Sequence, residues 1–242
     1  MSTTVRPTSV VKQDEKFATP AEDLGRRFER LERRRRLADQ VSENLILGIA
    51  SGRLPPGERL VEADIANDLG ISRIPLREAL SVLESQGIII ADAHHRRRVV
   101  SFDNIRVLQV CTTRLTLERQ AVREAARTYR RDPTRIAALD AVIERMKVTV
   151  DEGAEPLRVN QNDVDYHTEI YAATDNPCLL TLWETLSRHV AIVFALETFE
   201  RIDPVQNLQQ HQRLRDMLLD SDDAALDAEI EDHIMKYMNE AT

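Results

Sequence analysis

The stretch Gly70-Ile71-Ser72-Arg73-Ile74-Pro75-Leu76-Arg77-Glu78-Ala79-Leu80 decides the reading of this chain. Gly70 stops a helix and readily takes a left-handed turn. Ser72 can cap a new helix, and Pro75 falls in its first turn, where amide donors have no intrahelical partner. Leu76, Ala79, Leu80 and Leu83 recur at helical spacing as a buried stripe, with Gly87 as the C-terminal stop. Arg73 and Arg77, four residues apart, share the face opposite that stripe. A helix, a glycine turn and a second helix with cations near its start is the arrangement that carries side chains to base edges in the major groove.

Upstream, a short helix spans about Val61 to Leu69, and Leu54-Pro55-Pro56-Gly57 is a turn that no helix continues through. Before it, Leu37, Val41, Leu45 and Ile49 recur every four residues in a helix that stops at Ser51-Gly52. The run Arg33-Arg34-Arg35-Arg36 at its start can touch DNA phosphates or serve as a solvated helix start, and both readings stay open. Residues 1–30 are polar, aperiodic and proline-punctuated for most of their length, the pattern of a flexible tail. Downstream, Ile88–Ala91 and Arg98–Phe102 are β-branched stretches flanking the polar tip His94-His95-Arg96-Arg97, a hairpin. Residues 31–102 therefore form a winged helix-turn-helix. Arg96, Arg97 and Arg98 add cations where a wing meets the DNA backbone or minor groove.

Beyond Asp103 the periodicity is helical only, with breaks at Asp132-Pro133, Gly153, Asn176-Pro177, Asp203-Pro204 and Ser221-Asp222. Six helices over residues 103–242 imply an antiparallel all-α bundle, so the protein is mainly α. With 42% hydrophobic and 31% charged residues and 7 glycines in 242, the composition agrees with packed amphipathic helices.

Net charge is −8, which by itself argues against nucleic acid. The charge is unevenly divided: residues 1–102 carry 17 Lys/Arg against 15 Asp/Glu, whereas residues 103–242 carry 16 against 26. An acidic domain follows a mildly basic one. Cys111 and Cys178 lie far apart without CxxC spacing, so they are read as buried thiols rather than a disulfide or zinc framework. No apolar run approaches the roughly 18 residues of a membrane span, and the first residues lack the core of a signal peptide. The expected location is the cytoplasm, with no membrane partner.

Asp163 and His167 are four apart on one helical face and can reach one cation. His211 and His233 sit on the last two helices, which an antiparallel arrangement can turn inward to the same point. Three imidazoles and a carboxylate suit a divalent ion, zinc foremost, with nickel or another transition metal as alternatives. His189, in the helix that follows Cys178, is a fifth candidate and is read as structural. Leu179, Leu182, Leu186, Val190 and Val193 are read as core.

The segments Leu54-Pro55-Pro56-Gly57-Glu58-Arg59-Leu60 and Gly70 to Leu80 together resemble the GntR family of transcription regulators. The resemblance implies operator contacts by Ser72, Arg73 and Arg77 and by the wing tip, including His95, Arg96, Arg97 and Arg98. Two positions depart from the family: Ile74 stands where a threonine is usual, and His94-His95-Arg96 where the wing has a glycine. Residues 103–238 resemble the FCD effector domain of one branch of that family. In that domain metal ligands fall on Asp163, His167, His211 and His233, and an arginine facing the ligand cavity falls on Arg114. A guanidinium there suits the carboxylate of a small organic acid, although an ion pair with Glu118 competes for it. Asn176 matches a family loop and either approaches the effector or caps the next helix.

The sequence thus implies a homodimeric repressor that binds operator DNA and responds to an organic acid. Catalysis is not expected, because HExxH, nucleophile-elbow and phosphate-loop motifs are absent and an enzyme would leave the DNA-binding half unexplained.

Overall fold

The computed structural model describes residues 32–94, 96–153, 156–195 and 203–239, so the tail and His95 lie outside the described residues. The chain begins with α1 (Glu32–Ala50), which buries Val41, Leu45, Ile46 and Ile49. Leu37 is exposed and Ala38 is buried in its place. A strict four-residue repeat drifts by roughly 40° per step around a helix of 3.6 residues per turn, so one end of such a series leaves the packed face.

Then follow α2 (Glu62–Asp68) and α3 (Arg73–Ser85), joined by a turn in which Gly70 has φ +64°. Ser72 occupies the extended position before α3, but its side chain makes no capping bond. Leu76, Ala79, Leu80 and Leu83 are fully buried, and α3 packs on α1. Trimming one of these leucines to alanine costs about 2–5 kcal/mol. Gly87, at φ +71°, turns the chain into β1 (Ile89–Ala91), which pairs antiparallel with β2 (Arg97–Val99). The second strand begins one residue earlier than its β-branched run, because Arg97 pairs with Ala91. On its other edge, Gly57 and Leu60 donate to the carbonyls of Val99 and Arg97, so the segment after the proline turn extends the wing.

The C-terminal part comprises α4 (Asn104–Arg131), a 3-10 turn at Pro133–Ile136, α5 (Ala137–Asp151), α6 (Pro156–Ala173), α7 (Pro177–Phe194), α8 (Pro204–Asp220) and α9 (Asp223–Asn239). Among the described residues these are the six expected helices. The Asx-Pro breaks work as helix starts: Asp132, Asn176 and Asp203 each accept a backbone amide, and the following proline sits where no donor is needed. The central α4 packs against α6, α7, α8 and α9. On α7, Trp183 is buried and Leu182 is 52% exposed, so the core stripe runs through the indole instead. Cys111 is buried, whereas Cys178, expected inside, is exposed in the first turn of α7.

The two halves touch. α1 packs on α7, and Arg188 of α7 donates to Oε1 of Gln86, the residue that ends α3 (2.9 Å). No helix among the described residues is long and apolar enough to cross a membrane.

Candidate metal centre and nucleic-acid interface

Helix α6 supplies Asp163 and His167, α8 supplies His211 and α9 supplies His233. All four are buried, and one nitrogen or oxygen from each lies within 4.8 Å of every other. The converging atoms are the three Nε2 atoms and Asp163 Oδ1. His167 Nε2 is 3.1 Å from His233 Nε2, and His211 Nε2 is 3.2 Å from Asp163 Oδ1.

The outward-facing nitrogens fix how these rings are used. His211 Nδ1 is 2.7 Å from the backbone carbonyl oxygen of Asn207, which can only accept. In the neutral ring the proton is then on Nδ1, and the Nε2 lone pair faces a carboxylate oxygen that also has only lone pairs. His211 Nε2 and Asp163 Oδ1 are both buried without a hydrogen-bond partner. Two facing lone pairs repel, and a cation between them removes the conflict. His167 Nδ1 lies 2.6 Å from Glu118 Oε2, an ion-pair approach whose angles fall outside hydrogen-bond geometry. Carboxylates and carbonyls behind ligating histidines are the usual support of a metal site. The residues present therefore fit a divalent ion with nitrogen and oxygen ligands.

Electrostatics point the same way. Burial pushes the Asp163 carboxyl up, but the Arg114 charge and the neighbouring His211 hold it well below the usual carboxylate range. Glu118 is likewise raised by burial and lowered on balance by Arg114 and His167. Burial drives His167 and His233 below the ordinary imidazole value. Anionic carboxylate and neutral imidazole are the protonation states that metals bind.

Arg114, 2% exposed on α4, forks between Glu118 Oε1 (2.6 Å) and Asp163 Oδ2 (3.4 Å). Both sequence-level readings of it meet here, since its ion pair with Glu118 stands at the edge of the ligand cluster. The Trp183 ring lies 5.9 Å from its guanidinium and 6.0 Å from the His167 ring. Asn176 caps α7 through its side-chain oxygen, which accepts from Leu179 N (3.2 Å). Glu118, Asn207 and Trp183 were not singled out as site residues in the sequence. Glu118 and Asn207 sit one helical turn from Arg114 and His211, a spacing too common to mark them.

On the other half, Ser72, just before α3, and Arg73 and Arg77, in its first two turns, are exposed. Arg77 Nε is 2.6 Å from Glu62 Oε2, while Arg73 has no ion pair among the described residues. Arg96 pairs with Asp92 (2.7 Å), and Arg98 donates to the Gly57 carbonyl (3.0 Å). Arg97 differs from the expected tip position: it lies within β2, 19% exposed, held by Glu62 and Glu84 at 2.9 Å each.

Fold and site define a two-part protein, a winged helix-turn-helix DNA-binding unit joined to a helical bundle with a candidate metal centre. Residues 37–99 match the bacterial regulatory proteins of the gntR family and residues 109–236 match the FCD domain, and the chain belongs to this family of transcription regulators, not to an enzyme family. The chain is 27% identical over 202 residues, 84% of its length, to a probable D-xylose utilization operon transcriptional repressor of Paenarthrobacter nicotinovorans, covering 87% of that relative. It is 30% identical over 148 residues to the gluconate operon transcriptional repressor of Bacillus subtilis, 61% of this chain and 59% of that one. The solved structure of E. coli McbR shares the fold, with a TM-score of 0.70 at 22% identity over 85% of this chain and 99% of that one.

Proposed function

We propose that this regulator is a homodimeric repressor in which residues 31–102 bind operator DNA and residues 103–242 bind a small carboxylate metabolite beside a zinc ion. The observation that carries the proposal is Arg114, a buried guanidinium at the edge of the Asp163, His167, His211 and His233 cluster. A guanidinium recognises a carboxylate through two parallel donors, and a bound metal supplies a Lewis-acidic position for another oxygen. Asp163, His167, His211 and His233 would hold the ion, and Glu118 and the Asn207 carbonyl would orient two of the rings. Asn176 is committed to its cap, so the anion contact rests on Arg114.

The relatives named as repressors of D-xylose and gluconate operons support repression over activation. Ser72, Arg73 and Arg77 would enter the major groove, with the wing, including His95, against the backbone. Two copies reading paired half-sites would multiply the modest affinity of one small module. Effector binding would shift the spacing of the two winged units, and the coupling is reciprocal.

The test is fluorescence anisotropy of the zinc-loaded protein on DNA upstream of its own gene, with a panel of sugar acids and dicarboxylates added in turn. A member of the panel should release the DNA from wild type and act at least about tenfold more weakly on Arg114→Lys, which keeps the charge and loses the fork. Equal potency on both proteins would remove Arg114 from the effector site.

A further inference from the structure

Five residues of α3, Pro75, Leu76, Ala79, Leu80 and Leu83, are buried, and the helix packs on α1, α2 and β1. The arc opposite them is exposed. At about 100° per residue, Ile74 points roughly 170° away from the mean direction of those five, with Arg73 and Arg77 on one side of it and Glu78 on the other. It is 52% exposed, more than any other large hydrophobic side chain of α1, α2 or α3 among the described residues. Exposed apolar residues are ordinary when scattered over a surface. This one stands in the first turn of the second helix of a helix-turn-helix, beside two cations, where such helices meet base edges.

The chemistry of the side chain limits what it can meet there. Isoleucine neither donates nor accepts a hydrogen bond, so against a base edge lined with donors and acceptors it would strip water from groups that it leaves unpaired. Thymine is the base whose major-groove edge carries a methyl group. A β-branched side chain in a helix also keeps essentially one χ1 rotamer, so Ile74 presents a fixed apolar surface and loses little freedom on contact. We propose that Ile74 is a specificity residue that packs on the 5-methyl group of an operator thymine, adding an apolar contact beside the polar ones proposed for Arg73 and Arg77. The assignment rests on the proposed entry of α3 into the major groove.

The metal-loaded full-length chain is first used to enrich its site from a library of duplexes with a random centre. Each thymine of the enriched site is then replaced in turn by uracil, which lacks only the 5-methyl group, and affinity is read by fluorescence anisotropy. One thymine position in each half-site is expected at which uracil weakens wild-type binding about fourfold, the worth of one buried methyl. Ile74→Ala, a change at an exposed position, should melt like wild type and bind the thymine and uracil duplexes alike, whereas Ile74→Val should keep the penalty. An enriched site without thymine, uracil tolerated at every thymine, or a penalty undiminished in Ile74→Ala would each overturn the assignment of Ile74 while leaving α3 in the groove. A library that yields no enriched site would overturn the placement of α3 and the assignment with it.

Discussion

His189 Nε2 of the bundle helix α7 lies 3.1 Å from the carbonyl oxygen of Gln86, the residue that ends α3 of the helix-turn-helix. Six residues earlier on α7, Trp183 stands against the His167 ring and the Arg114 guanidinium. One rigid helix therefore touches both the candidate metal centre and the C-terminal end of the DNA-reading element. Replacing His189 by alanine should cost about 1–2 kcal/mol through the lost hydrogen bond. It should also reduce the effect of an effector on DNA affinity while leaving metal affinity unchanged. A variant with undiminished effector response in the anisotropy assay would show that the signal travels elsewhere.

The same contact makes the junction acid-sensitive. Burial, with the nearby Arg106 charge, lowers the His189 pKa below its ordinary 6.5, although the Gln86 carbonyl partly offsets this. The ring also faces Phe102, with centroids 6.1 Å apart. With the folded value depressed, the unfolded chain takes up the proton first as pH falls below about 6.5, so this contribution is complete above that pH and declines below it. Melting curves of wild type and His189→Gln should converge as pH drops from 7.5 toward 5.5; parallel curves would exclude His189 as the source.

Metal should be a structural as well as a chemical partner. At an ion concentration a hundredfold above Kd, binding to the folded state alone adds about 2.7 kcal/mol, so chelation should lower Tm by roughly 5–10 °C. Glu118→Gln keeps the shape but not the charge behind His167, and should weaken metal binding about 10- to 100-fold. Melting unaffected by chelator would argue against a bound ion.

On DNA, Arg73→Ala should flatten preference at one base position by about 1–3 kcal/mol. Arg96→Ala with Arg98→Ala should instead weaken all sequences alike and reduce the log–log salt slope by about 2. Arg97→Ala should act differently from both: it removes the partner of Glu84 and leaves Glu62 with Arg77 alone, so its main effect should be a lower Tm. Reading all three in one salt series separates base reading, phosphate grip and internal pairing.

Helix α9, which carries His233, is tied to α4 by Arg119–Glu231, Arg123–Asp227 and Arg127–Asp223. Because this ladder is largely solvent-facing, salt screens it. Metal release should quicken as ionic strength rises, and Arg123→Ala with Arg127→Ala should remove much of that salt dependence. Release rates that ignore salt would show that burial of Leu226, Ile230 and Ile234 holds α9 unaided.

Much of this was legible from local pattern. The Leu76, Ala79, Leu80 and Leu83 stripe, the Gly70 turn and the Asx-Pro breaks specify their own conformations, because helix periodicity and capping involve residues a few positions apart. The Asp163–His167 pair was legible for the same reason. By contrast, the sequence places Arg97 at a wing tip, while the structure pairs it with Glu62, 35 positions away. Leu182 has helical spacing but faces outward, and Ser72 sits at a cap position without capping.

The amino-acid sequence by itself thus determined the winged helix-turn-helix, the six-helix succession, the family and the identities of four candidate ligands. Only the tertiary structure decided that α4 brings Glu118 and Arg114 to those ligands, that Asn207 sets the His211 ring, and that α7 meets Gln86 across the junction. Local pattern selects which face of a helix is buried, but which faces meet depends on packing between segments tens of residues apart, where side-chain volume and the pairing of buried charge choose the neighbour.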